Sequence, residues 1–289
     1  NCTTALHLSL VSLGIGYGDE VICPDLTFIA PANMIKWAGA VPVLVDIEKK
    51  SWGIDPKKIE AKITNKTKAI LVVHAFGHPA DMDPIMIIAK KYNLYVIEDV
   101  AEAPGARYKG KLVGSFGDVS CYSFFANKII TTGEGGIVLT NNYDLDQILR
   151  TYRDHGMSRK KRYVHTVPGF NYRMTNMQAA IGTAQLGKLI DILDLRMHQE
   201  QKYKKLFFDS PSISWRPTEK WSQHVHWMST ITLQKEELRD PLLEYMKNQG
   251  IDCRQMVYPI HMSDIYKDNN NPNDFPVSRS ISLRSLHLP

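Results

Sequence analysis

Apolar residues nowhere run on long enough in this chain to span a bilayer, so no helical membrane segment is expected. No secretory leader is visible either. Cysteine is scarce, with only Cys2, Cys23, Cys121 and Cys253 in 289 residues. They form no CxxC pair, and no metal-ligand spacing joins them to the histidines, although His224 and His226 flank Val225. A disulfide framework and a structural metal site are therefore not expected, and a reducing cytoplasm is the simplest setting. Charge of one sign is not concentrated, apart from the quartet Arg159 to Arg162. A net charge of +5 favours an anionic ligand without demanding nucleic acid. There is no internal repeat.

What is present is ordinary globular material, 44% hydrophobic and 22% charged, enough for a large domain and a smaller one. Short apolar runs at 21–24, 41–46, 69–75 and 94–97 alternate with helical patterns. Strands apolar throughout and separated by helices imply an α/β domain with a mostly parallel sheet covered on both faces. Ligands of such sheets gather beyond the carboxyl ends of the strands. After the long helix expected from the capping box Thr175-Asn176-Met177-Gln178 toward Phe207, the pattern becomes that of a smaller α+β unit. We place the large domain at 1–195 and the smaller one at 196–289. Both ends of the sequence read as abrupt, and a fragment of a longer protein is expected.

The stretch from Gly117 to Gly136 organises the rest. A β-prone run from Val119 to Phe125 leads to Lys128, and a glycine cluster (Gly133, Gly135, Gly136) follows. A lysine just beyond a buried strand end either snorkels to water or sits desolvated as a Schiff-base nucleophile. Asp99 ends another strand, where it can cap a following helix or face a cationic ring nitrogen. Thr3 and Thr4 precede an apolar helix, as N-caps or as part of an anion site. Phe28, just past a strand end, is core or a lid on a flat ring. These alternatives stay open on the residues alone.

Taken together and in order, the motifs resemble the nucleotide-sugar aminotransferases, which use pyridoxal 5'-phosphate and adopt the aspartate-aminotransferase type fold (fold type I). The likeness rests on Thr3-Thr4-Ala5-Leu6-His7-Leu8, Gly18-Asp19-Glu20-Val21-Ile22, Glu98-Asp99, Ser123-Phe124-Phe125, Lys128, Gly133-Glu134-Gly135-Gly136 and Asn171-Tyr172-Arg173-Met174-Thr175. It implies a large domain with a seven-stranded-type sheet. It also implies that Lys128 carries the cofactor and Asp99 pairs with its ring nitrogen. Thr3, Thr4 and Ser123 would hold the phosphate, Phe28 would stack on the ring, and Glu102 would lie beside the ring or the reacting sugar carbon. Asn171 would reach the phosphate of a partner subunit, making a homodimer with shared sites. Glutamate is the implied amino donor, and the stretches at 98–103, 123–136 and 258–261 favour a GDP-linked 4-keto-6-deoxymannose as acceptor. A UDP-linked keto-sugar is the second choice; a cofactor-binding or nucleotide-sugar-binding protein without turnover is the alternative from another class. Cys2 and Ala126 stand where the family usually has glycine.

Overall fold

The computed structural model describes all residues from 1 to 289. Its first element, helix α1 (Cys2–Ser12), is capped by Asn1. The Asn1 side chain accepts from the Thr4 amide at 3.0 Å, and the Thr4 hydroxyl returns a bond to the Asn1 carbonyl at 2.9 Å. The cap thus lies upstream of the threonine pair expected to supply it. Asparagine caps at least as well as threonine, and with it in place Thr3 and Thr4 become first-turn residues.

Six strands form the main sheet: β1 (Glu20–Pro24), β2 (Val41–Val45), β3 (Thr67–Val73), β4 (Tyr95–Asp99), β5 (Val119–Ser123) and β6 (Gly136–Leu139). Their spatial order is β2-β1-β3-β4-β5-β6. The first five are parallel, and β6 pairs antiparallel with β5. The sheet has six strands rather than seven because no segment pairs beyond β2 or β6. Pro42, which has no amide to donate, lies on the β2 edge. Alternation along the buried strands builds two cores. Ile22, Ile70, Val72 and Val96 face one, while Val21, Cys23, Leu71, Val73 and Ile97 join Leu6 and Leu10 of α1 in the other. Each such fully buried side chain contributes about 1.5–3 kcal/mol.

The helix expected to run unbroken toward Phe207 is two helices, Asn176–Leu186 and Leu189–Leu206, separated at Gly187 and Lys188. Its capping box between Thr175 and Gln178 is present. Beyond it a second, antiparallel sheet contains β7 (Ile213–Trp215), β8 (Ser229–Leu233), β9 (Arg254–Gln255) and β10 (Ser285–Leu288), ordered β9-β10-β8-β7. Strand β9 is only two residues long, since pairing with β10 covers just Arg254 and Gln255.

A buried polar cluster lies where the turn after β3 meets the second sheet. Arg216 donates to the carbonyls of Ala75 (2.8 Å) and Phe76 (3.3 Å), and the His224 ring lies beside both. Burial, reinforced by the Arg216 charge, pushes His78 down to about 3. Burial, with Lys204 and Arg216 adding to it, takes His226 to about 4, and His287 falls to about 4 through burial, Arg216 and Arg254. All three are neutral when folded near pH 7, whereas the unfolded chain takes up protons below about 6.5. Stability is therefore expected to fall as the pH drops through the window from about 6.5 toward 4, with each histidine contributing up to about 1.4 kcal/mol per pH unit. Asp99, raised to about 6 by its burial, opposes part of this loss. His224 is lowered as well, by burial and the Arg216 charge, so urea unfolding should show a net loss on the order of 6 kcal/mol between pH 7 and 5. An unchanged free energy across that interval would mean that these rings are protonated in the folded protein.

Candidate active site

The carboxyl ends of β3, β4 and β5 converge on the start of α1. This convergence depends on Gly136, whose Cα lies opposite Ser123 in the β5–β6 ladder. A Cβ there would stand 2.6 Å from the Asn1 carbonyl carbon and 2.8 Å from the Cys2 nitrogen. Only glycine lets the head of β6 abut the first turn of the helix. Above these ends is a cavity of about 480 Å³ lined by Thr3, Phe28, Asp99, Glu102, Ser123 and Lys128 from the first half of the chain. The second half closes it with Trp227, Met228, Arg254 and His287, among others.

Lys128 does not reach out to water; its side chain is only 13% exposed. Its ammonium lies 3.7 Å from the centroid of the Trp227 ring, a cation–π seat, and 3.8 Å from Glu102 Oε1. The indole is fixed in turn by donating to the Asn127 carbonyl at 2.9 Å. Glu102 accepts from the Phe76 amide at 2.7 Å through its other oxygen. Phe76 has a left-handed backbone, φ 52°, which a bulky residue adopts only under constraint from its surroundings. Here that constraint includes the Glu102 bond on one side and Arg216 on the other.

Asp99 is buried, and no helix follows it: residues 101–105 make turns. Its Oδ1 accepts from the Ala101 amide at 2.9 Å and lies 3.7 Å from the Cys2 thiol. Burial pushes its carboxyl up to about 6; the Ala101 amide opposes the rise and the nearby Glu102 charge adds to it. This carboxylate therefore has unmet demand for positive charge. The adjacent Glu98 has the opposite character. It accepts from the amides of Gly114, Phe116 and Gly117 at 2.6–2.7 Å and pairs with His74 at 3.1 Å. Those bonds outweigh burial and hold it below the usual carboxylate range, so Glu98 ties the 114–117 loop to β4.

Thr4 and Asn171 lie elsewhere. They line a neighbouring cleft of about 580 Å³ with Arg150, Arg153 and Arg173, and the two hollows share Asn1 and Glu134. Asn171 bridges Asp154 at the base of a loop whose tip carries the exposed quartet Arg159 to Arg162. The sequence profile of the DegT/DnrJ/EryC1/StrS aminotransferase family matches residues 1–289. The chain belongs to this family. GDP-perosamine synthase of Escherichia coli O157:H7 is 44% identical over 289 residues, covering 100% of this chain and 78% of that protein. The GDP-perosamine synthase of Vibrio cholerae is 39% identical, over 100% of this chain and 79% of the relative. The crystal structure of DesV from S. venezuelae superposes with a TM-score of 0.93 at 34% identity, spanning 100% of this chain and 77% of DesV. The protein is thus a pyridoxal phosphate-dependent aminotransferase of fold type I.

In this aminotransferase six of the eight residues singled out from sequence share one cavity, and Phe28 is 59% exposed at its edge rather than part of the core. Trp227, Phe76, Arg254 and His287 also line it, and none of them was singled out from the sequence. Trp227 stands 99 positions after Lys128 and reads locally as the start of a strand, so no spacing signal joined the two. No membrane-crossing helix is present, since none is long and apolar enough.

Proposed function

We propose that this aminotransferase moves the amino group of glutamate to C4 of GDP-4-keto-6-deoxymannose, giving GDP-perosamine and 2-oxoglutarate. The observation that carries this reading is the whole-length likeness to two GDP-perosamine synthases. Four unpaired cysteines favour the cytoplasm as its setting.

The residues of the cavity fit pyridoxal phosphate. Asp99 is a buried carboxylate with unmet demand for a cation, Lys128 offers a sheltered amine, and the Cys2 and Thr3 amides precede the first intrahelical bond of α1. When bound, the cofactor supplies the electron sink for the carbanion chemistry of transamination. Lys128 would hold it through its amine and would move the proton at the amino-bearing carbon. Asp99 holds a proton on the ring nitrogen. The first-turn amides, Thr3 and Ser123 bind the phosphate, where the positive end of the helix adds its field. Phe28 would cover the ring, and Glu102, fixed by the Phe76 amide, stays beside the lysine to steer it. Thr4 acts one step back, because its hydroxyl and amide hold Asn1. Asn171, outside this cavity in its own chain, reaches the phosphate of the partner subunit in a homodimer.

The acceptor is tested by offering glutamate and a panel of GDP- and UDP-linked 4-keto-6-deoxysugars, with products read by mass spectrometry. The GDP-linked 4-keto-6-deoxymannose should gain the amine, with one 2-oxoglutarate formed per amino sugar. Exclusive amination of a UDP sugar would overturn the assignment of the base, and no amination of any sugar would overturn the reading as a whole.

A further inference from the structure

The two oxygens of the Asp99 carboxylate are treated differently by the protein. Both side-chain hydrogen bonds end on Oδ1, from the Ala101 amide at 2.9 Å and from the Cys2 thiol at 3.7 Å. Oδ2 accepts none, although the residue lines the cavity and is only 5% exposed. A buried carboxylate oxygen left without a donor is the atom that a cationic ligand takes. The two donors on Oδ1 come from different elements. Ala101 lies in the turn just after β4, so its bond is local. Cys2 opens α1, and its side chain belongs to the core beneath the sheet while also lining the cavity. Gly136 brings β6 against the Cys2 nitrogen, which fixes the turn that bears the thiol. Burial, with the Asp99 charge adding to it, raises the thiol well above its ordinary range, so it remains a donor near neutral pH. The family usually has glycine here, which offers no side chain, so this second bond is a feature of this chain.

We propose that Cys2 is a positioning residue for Asp99: with the Ala101 amide, its thiol anchors Oδ1 and so presents Oδ2 to the ring nitrogen of the cofactor. This inference rests on Asp99 being the partner of that nitrogen. The terminal torsion of an aspartate is broad and roughly two-fold, so a carboxylate held by one local amide can exchange its oxygens. A second donor, arriving from another element onto the same oxygen, opposes that exchange. Sulfur suits the task because a thiol is a weak donor. It orients the carboxylate while leaving most of the negative charge to hold a proton on the ring. The other role open to Cys2 is that of an apolar cover that keeps water off Asp99. The two roles differ in sign. Losing a donor disfavours the charged carboxylate, whereas admitting water favours it.

Cys2→Ala and Cys2→Ser test this first in the cofactor-free protein, with the Asp99 carboxyl titrated by carbon NMR. Glu102 in the turn after β4, Lys128 beyond β5, His74 just past β3 and the Cys121 thiol opposite on β5 also face Asp99, and the variants leave all four in place. Cys2→Ala should move Asp99 from about 6 to about 7. Cys2→Ser still carries a donor and should stay at or below the wild-type value. A fall in Cys2→Ala would show that the thiol only excludes water, and an unchanged value that its bond is without effect. Either result overturns the proposal. In the loaded enzyme Cys2→Ala should lower kcat about 3- to 10-fold, with the KM of each substrate within about twofold. An unchanged kcat would also overturn it. Asp99→Asn, assayed in parallel, keeps the two readings apart. Normal turnover of that variant defeats the ring-nitrogen assignment, while the cofactor-free titration still decides whether Cys2 holds Oδ1.

Discussion

Replacing Lys128 with alanine is expected to abolish aminotransfer, and an Asn171→Ala chain is expected to be inactive as well. Mixing the two should bring activity back. In the proposed homodimer each site takes its lysine from one chain and its asparagine from the other. A mixed dimer then holds one site lacking both groups and one site with both intact. With random pairing, about a quarter of all sites are complete. The placement of Asn171 supports this arrangement: it lines the cleft beside the lysine cavity, not the cavity itself. Borohydride reduction of the wild-type protein followed by peptide mapping should place the pyridoxyl adduct on Lys128. An adduct on another lysine would remove Lys128 from its role. Failure to regain activity, when the chains demonstrably exchange, would remove Asn171 from the partner's site.

The second large effect is expected at Asp99. Asp99→Asn should lower the rate by about a thousandfold, or about 4 kcal/mol of activation free energy, because a neutral amide cannot hold the ring nitrogen protonated. The same change should not weaken the cofactor-free fold. Asp99 ionises at about 6 in the folded chain, above the ordinary value for aspartate. Its raised value means that the folded state prefers the protonated acid, so folding loses stability as the pH rises from about 4 to about 6. Above that window the penalty is fully present, and asparagine removes it. Thermal unfolding of the cofactor-free variant at pH 8 should therefore give a midpoint at or above that of the wild type. A variant with near-normal turnover, or one that is inactive because it unfolds early, would assign Asp99 to structure alone.

The parallel sheet was legible because its strands announce themselves locally. Residues 69–73 are apolar without a break, as a strand buried on both faces must be. Asp99 and Lys128 were legible for a related reason, since each is an ionisable residue just at or past such a strand. The N-cap was misassigned by two or three positions because Asn1, Thr3 and Thr4 are all competent caps, and backbone geometry decides among them. The helix break at Gly187 was missed because apolar residues continue at helical spacing on both sides. Arg254 and His287 were missed because pairing between short strands 33 positions apart leaves no periodic trace. Their shared face exists only once β9 and β10 are in register.

The seat of the Lys128 amine on the Trp227 ring has a consequence for how the protein matures. The lysine lies in the first half of the chain, yet the surface that shelters it comes from residues after 206. In chain order, Asp99 and Lys128 leave the ribosome well before the indole and the β9–β10 wall do. During that interval the amine is an ordinary hydrated cation, with nothing to distinguish it from the lysines around it. Its selective reactivity therefore arises late, as a property of the finished polypeptide. Uptake of the cofactor at Lys128 is therefore expected to follow the formation of the second sheet.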